Sequence, residues 1–518
     1  MPGGIRVPTL KCLYITQEYA PLFAEGGLGL TSNALPAALH THGGVQHDLV
    51  LPYYPWLVEP RGLSTEVVCR LPEQEIGGVR SAAEVHRLLR HGGPCEIYLV
   101  RADAWYDRHS IYRDADYVPF AEEGGRSVFF GRCVAEWVAR TGRAYDVVHG
   151  NDWQSGAAMA HLRDRFPRLP QLLTLHNALY QGHLHSPDRT YPELPAPQVA
   201  RLLERAPNDP SLLLLGLLAA DTAVTCSPTY ARELLAELAG TPLGETLAER
   251  KVSGIVFGVD GDVWDPAAPD RCTIPYGAAS ADVGKGLNKR ALQRRLQLVE
   301  DDSLPVIGIC SRVVPEKGCD LLLEALARFL INRRVQLALV GPSTHELRGR
   351  IHDLDAAAPG MVGYVPKFDQ DLAWLVYAGA DLTVMPSRTE PCGLNQLIAY
   401  RYGTLPLASP VGGLRDTVRD LRTCPDGGGF LIPEHTAVSV RTTVRDALRW
   451  MRDQPGEPPA VRRRVMAQDW SWATTARAYA DVYARVTGRT TPGGGTAEGV
   501  PEHGEPAAVR ARSALLGA

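Results

Sequence analysis

Several marks of large protein classes are missing from this sequence. No stretch of about 18 apolar residues occurs, the length a helix needs to cross a bilayer. The longest apolar run, residues 212–224, is shorter and contains Asp221, so no membrane partner is expected. Charge of one sign is not in excess: Lys+Arg number 54 against Asp+Glu 58, a net charge of −4, which argues against nucleic acid as a partner. The 10 cysteines are scattered, without a CxxC pair or paired metal-type spacing. The opening residues MPGGIRVPTLKCLYIT lack a charged-then-apolar leader pattern. Together these read as reduced thiols in a cytoplasmic protein. No acidic cluster suggests a metal, so none is expected, nor any other cofactor. GxGxxG is absent as well; the nearest stretch is Gly26-Gly27-Leu28-Gly29.

What is present is an ordinary globular composition, 45% hydrophobic and 22% charged, over 518 residues. That length exceeds one core and predicts two large domains. Short apolar runs alternate with helical patterns and Gly-containing turns. In the first half, strands are expected at 12–16, 45–51, 96–101, 146–149 and 172–175, with helices at 31–40 and 126–140. Residues 192–210 are Pro-rich and read as a surface excursion, and 254–260 as a strand and turn. A second series begins near Lys285, with strands at 305–310, 335–340, 382–385 and 406–409. This rhythm predicts an α/β protein of two doubly wound domains. In such sheets ligands sit beyond the carboxyl ends of strands. His149-Gly150-Asn151-Asp152-Trp153 and His176-Asn177 stand at two such ends, which points to one crevice.

The densest cluster is PSRTEPCGLNQL at 386–397. It runs from a buried strand through a Gly turn into a helix start, where backbone N–H groups are left for an anion. Glu390, three residues before Gly393, is out of place if phosphate alone binds there. It fits a ligand with phosphate at one end and hydroxyls at the other, such as a sugar nucleotide; a Glu capping its own helix is the plainer alternative. Arg312 and Lys317 follow another strand end and offer a guanidinium fork and a point charge. Together they can neutralise a diphosphate without a metal.

From Tyr14 to about Tyr483 the sequence resembles the bacterial glycogen and starch synthases. The likeness rests on ordered motifs: Glu18-Tyr19-Ala20-Pro21, Gly26-Gly27-Leu28, Asp152-Trp153, His176-Asn177, Ser227-Pro228-Thr229-Tyr230-Ala231, Ser311-Arg312 with Lys317-Gly318, Glu390-Pro391-Cys392-Gly393-Leu394, and Gly412-Gly413-Leu414 with Asp416-Thr417-Val418. The resemblance implies a retaining, metal-independent glycosyltransferase of GT-B fold, two Rossmann-like domains facing a cleft. It implies an acceptor domain at 10–262, a nucleotide-sugar domain at 263–470 and a helix at 471–486 returning to the first domain; the Gly/Pro/Glu-rich composition beyond predicts a disordered tail at 487–518. Arg312 and Lys317 would neutralise the leaving diphosphate, Glu390 would hold donor hydroxyls, and His176 would stand beside the transferring group. Cys392, Gly393, Leu394, Asn395, Gly412, Gly413, Gly26 and Gly27 would line the donor pocket, Asp152 would lie near the acceptor, and Phe368 would stack on the base. Attack from the face the diphosphate leaves would retain configuration.

The departures from the family pattern fall on one side. Its Lys-x-Gly-Gly turn is Ala24-Glu25-Gly26-Gly27, its Asp after the turn is Leu30, its His-Asp-Trp begins with Asn151, and its donor-site Asn is Phe257; a Thr after Cys-Gly-Leu is Asn395. Replacing Asn by Phe removes a hydrogen-bond partner and adds apolar bulk. The reading placed first is therefore a pseudo-glycosyltransferase of the acarbose-pathway type, moving a nucleotide-activated cyclitol onto an amino-sugar-capped maltooligosaccharide. The alternatives are an ordinary glycogen synthase using ADP-glucose, and a non-catalytic glucan or nucleotide binder.

Overall fold

The computed structural model describes residues 10–23, 27–114, 118–184 and 193–489. Ala24, Glu25 and Gly26, and the expected tail from residue 490 onward, lie outside the described residues.

Two sheets carry the chain. The first contains β1 (Leu10–Ile15), β2 (Val45–Pro52), β3 (Thr65–Ile76), β4 (Val79–Leu88), β5 (Glu96–Arg101), β6 (Val147–Asn151), β7 (Gln171–Leu175), β8 (Thr222–Thr225) and β9 (Ser253–Gly254). Its order is β3-β4-β5-β2-β1-β6-β7-β8-β9, parallel from β5 to β9. β3 and β4 add an antiparallel hairpin at one edge. The second contains β10 (Val306–Cys310), β11 (Gln336–Val340), β12 (Val362–Val365), β13 (Leu382–Met385), β14 (Leu405–Ala408) and β15 (Phe430–Leu431), in the order β12-β11-β10-β13-β14-β15, all parallel.

Every residue of β6, β7, β11 and β13 is buried, because helices cover both faces. That is why these strands read as continuous apolar runs and not as alternation. The order reverses at β1 and β6 in the first sheet and at β10 and β13 in the second. A crevice opens at each reversal, outside the strands' carboxyl ends.

Two expectations need correction. The Pro-rich segment holds a helix, Ala196–Arg205, which buries Gln198 and Leu202 on one side while its other face stays polar. Of residues 254–260 only Gly254 belongs to a strand, the two-residue β9, and Val259 adds an isolated bridge to Ser471; otherwise the segment runs as a connector into the second domain.

The last helix, Trp472–Thr487, buries Trp472, Ala476, Tyr479, Ala480 and Tyr483. That spacing makes one apolar stripe. It packs into the core of the first domain, where Tyr483 Oη lies 2.7 Å from His149 Nδ1 and Tyr479 Oη 3.2 Å from Thr174 Oγ1.

Candidate functional site

The C-terminal crevice is built by two loops held together. From β10 the chain enters Ser311-Arg312 and a 3₁₀ turn, Pro315–Lys317. From β13 it enters Pro386 to Gly393. Gly318 closes the turn at φ +67°, and a Cβ there would lie 2.0 Å from the Pro386 carbonyl oxygen, so only glycine lets the loops meet. Arg388 clamps them. Its guanidinium forks onto Asp320 at 2.8 and 2.7 Å, and its N–H donates to the Glu316 carbonyl at 3.0 Å.

This clamp brings Lys317 and Glu390 together. Lys317 Nζ donates to both Glu390 oxygens at 2.8 Å, and the Ser387 hydroxyl donates to Oε2 at 3.1 Å. Glu390 is thus no helix cap. The helix that follows, Asn395–Arg401, has no side-chain cap. Asn395 does not stand free in the pocket either: its Nδ2 donates to the Cys310 carbonyl at 3.0 Å, tying the start of this helix to the end of β10. Arg312 is 46% exposed and only loosely paired, 3.9 Å from Glu316. Gly412 (φ +43°) and Gly413 form the floor; a Cβ would come 2.1 Å from the Glu390 and 1.8 Å from the Cys392 carbonyl oxygen respectively. Gly413 N–H donates to the Glu390 carbonyl. Phe368 follows edge strand β12 and is 63% exposed, without a ring partner among the described residues.

The opposite wall comes from β6 and β7. Asp152 has φ +52°, ψ −174°, a conformation costing about 1–3 kcal/mol for a residue with a Cβ. It is held there from several sides. Its N–H donates to the Thr174 carbonyl at 2.9 Å, and Oδ1 accepts from the backbone N–H of His176 at 2.7 Å and of Asn177 at 3.4 Å. Burial pushes the Asp152 carboxyl up to about 7 against these bonds. Burial likewise lowers His176 to about 3, so its imidazole is neutral. His176 Nε2 lies 2.9 Å from Asn151 Oδ1. Phe257, 3% exposed, packs its ring on His176 at 5.4 Å and on Trp472 at 5.7 Å. Gly27 begins the helix Gly27–Ala38, and Leu30 on that helix is 43% exposed.

The walls join at a seam. The Cys392 thiol is pushed up to about 12 by burial, opposed by a hydrogen bond from the Phe257 backbone. Leu394 packs against both domain cores. The sequence did not reveal a strut beside them. Ser227 Oγ donates to the Pro391 carbonyl at 2.9 Å, Asp416 accepts from Thr229 N–H at 2.8 Å and Oγ1 at 2.6 Å, and Gly412 N–H donates to both Glu233 oxygens at 3.0 and 3.1 Å. Ser227 stands at the start of the helix Pro228–Glu237. Ser227 does cap it, accepting from Tyr230 N–H at 3.1 Å, while its hydroxyl hydrogen crosses to the other domain.

Comparison with known proteins covers most of the chain. Residues 11–249 match the starch synthase catalytic domain and residues 293–457 the glycosyl transferases group 1. A glycogen synthase of Halorhodospira halophila is 36% identical over 495 residues, covering 92% of this chain and 99% of that protein. Glycogen synthase 2 of Geobacter sulfurreducens is 34% identical over 490 residues, covering 92% and 98%. The catalytic domain of starch synthase IV from Arabidopsis thaliana, bound to ADP and acarbose, is 26% identical with a TM-score of 0.82, covering 93% of this chain and 100% of that one. Sucrose-phosphate synthase from Thermosynechococcus elongatus, 19% identical with a TM-score of 0.58, shares the fold.

Proposed function

The chain belongs to the glycogen and starch synthase family of GT-B glycosyltransferases, and from that premise we propose that it transfers glucose from ADP-glucose to the end of an α-1,4-glucan with retention. The relatives are named glycogen synthases, which moves this reading ahead of the cyclitol transfer placed first from the sequence. The observation that carries it is the Lys317–Glu390 pair at the β10/β13 crevice, with Arg312 open beside it. Arg312 and Lys317 take the diphosphate, and Glu390 exchanges Lys317 for ring hydroxyls. Cys392, Gly393 and Leu394 line the pocket, and Gly412 and Gly413 set the loop's height. Neutral His176 stands at the transferring ring, and Asp152 orders the acceptor side. Residues 10–262 then serve the acceptor, 263–470 the donor, and the helix from 471 ties the two. ADP and acarbose on the starch synthase IV domain support a nucleoside diphosphate and an oligosaccharide as the two substrates.

One observation favours a second reading within the same mechanism. Phe257 presents an apolar face against His176, where a fully hydroxylated ring would gain from a polar group. That suits a donor ring with CH in place of a polar atom, such as an unsaturated cyclitol. The test uses ADP-glucose with glycogen, and separately a nucleotide-activated valienol with an aminodeoxy-maltooligosaccharide. Elongation of glycogen sustains the first reading. Turnover of the cyclitol donor alone replaces it with the second, and Phe257→Asn then raises ADP-glucose turnover.

A further inference from the structure

Asn151 ends β6 and is 1% exposed. Its surroundings tell the two ends of the amide apart. Nδ2 donates to the Ile15 carbonyl at 3.0 Å, and Oδ1 accepts from the Tyr14 hydroxyl at 3.1 Å. A reversed amide would set oxygen against the Ile15 carbonyl oxygen. The atom 2.9 Å from His176 Nε2 is therefore Oδ1, which can only accept. An acceptor at that distance requires the proton on Nε2. Burial keeps the imidazole neutral. A neutral ring with its proton on Nε2 carries a lone pair on Nδ1. Nδ1 has no partner among the described residues and is not among the sealed, unsatisfied atoms.

We propose that Asn151 is a positioning residue that fixes His176 as its Nε2–H tautomer, and so offers Nδ1 to the cleft as an acceptor for a hydroxyl of the transferred ring. Where the family pattern has a His, whose ring can donate or accept, Asn151 removes the ambiguity. The choice of hydroxyl rests on the transferase reading; the tautomer rests on the hydrogen bonds alone. A ring bearing an ether or a hydrogen at that place loses the contact.

The full chain, labelled with ¹⁵N-histidine, tests this by long-range ¹H–¹⁵N correlation at neutral pH, with His176 assigned by its loss in His176→Gln. The expected result is one tautomer, protonated at Nε2. Asn151→Asp, still an acceptor, keeps that tautomer and raises the ring's pKa through its charge. Asn151→Leu, near in size but without an acceptor, gives a mixture or Nδ1–H while the other histidine signals stay in place. Tyr14→Phe leaves the tautomer unchanged. A wild-type Nδ1–H ring, or a pure Nε2–H ring in a folded Asn151→Leu, overturns the proposal. Turnover is read separately: Asn151→Leu is expected to lower kcat/KM with ADP-glucose on the order of a hundredfold, with Asn151→Asp retaining more of it. If neither donor is turned over, the transferase reading fails while the spectra still decide the tautomer.

Discussion

Replacing Glu390 by Gln should tighten the binding of ADP while lowering turnover, an opposition of signs that few other roles for this residue would produce. Glu390 holds Lys317 with both oxygens at 2.8 Å, and the side chains are 14% and 20% exposed respectively. At 2.8 Å and an effective dielectric near 20, the gross attraction is about 6 kcal/mol. Desolvation cancels most of it, so a partly buried pair is worth about 1–3 kcal/mol net, between exposed and fully buried pairs. An incoming diphosphate must draw Lys317 away and bears that cost. Glu390→Gln removes the competing charge but keeps the shape, so ADP affinity should rise about tenfold, which is 1.4 kcal/mol. Lys317→Met should instead weaken ADP, and the double variant should resemble Lys317→Met, since no lysine remains to be released. Titration calorimetry with ADP and a kcat measurement with ADP-glucose read both halves. If Glu390→Gln binds ADP no tighter than wild type, Lys317 does not serve the diphosphate and the assignment of this pair fails.

Three further outcomes follow from the same contacts. Gly413→Ala would put a Cβ 1.8 Å from the Cys392 carbonyl oxygen, so the donor loop must move; thermal unfolding should show a loss of about 1–3 kcal/mol, and kcat/KM should fall more than the stability loss explains. Asp152 titrates near 7 in the folded protein and near 4 when unfolded, so the native state binds the extra proton between those values and stability falls as pH rises through that window; Asp152→Asn should flatten this slope in melting curves taken from pH 4 to 8. Asp416→Ala removes the bonds at 2.8 and 2.6 Å to Thr229, costing about 1.5–3 kcal/mol of domain coupling, and calorimetry should then resolve separate transitions for the two domains.

The parallel sheets were legible because strands covered on both faces read as short apolar runs between Gly turns. The hairpin of β3 and β4 was not. Its strands are charged, and Pro72 falls in the register shift between Leu71 and Gln74, where a missing N–H breaks no ladder bond. Leu212–Ala219 hid its type for the opposite reason: a helix apolar on every side has no period, and only Ser211, accepting from Leu214 N–H, marks its start. In the site, residue types and strand ends pointed to loops that the structure brings together, but pairing between residues 73 positions apart leaves no trace in composition. Asn395 and Glu390 show the limit. Both were named, yet one is turned to the Cys310 carbonyl and the other to a lysine rather than to its own helix.

On the function proposed above, the charges of the cleft favour a joined donor over its parts. The first-domain wall is close to neutral: His176 is uncharged, Asp152 is pushed toward its protonated form, and Phe257 is apolar. Among the described residues the second-domain wall sets out Arg312, which is open, and Lys317, which is already satisfied by Glu390. Free nucleotide can recruit Lys317 only by leaving Glu390 without its partner in a partly buried place. Free sugar can engage Glu390 only by leaving Lys317 in the same condition. A sugar nucleotide answers both at once, with oxygens of the diphosphate for Lys317 and hydroxyls for Glu390. The cost of opening the pair is then offset at each end only while the bond between sugar and phosphate is intact. Once transfer has occurred, the diphosphate alone no longer offsets it, and re-forming the pair favours release of the nucleotide.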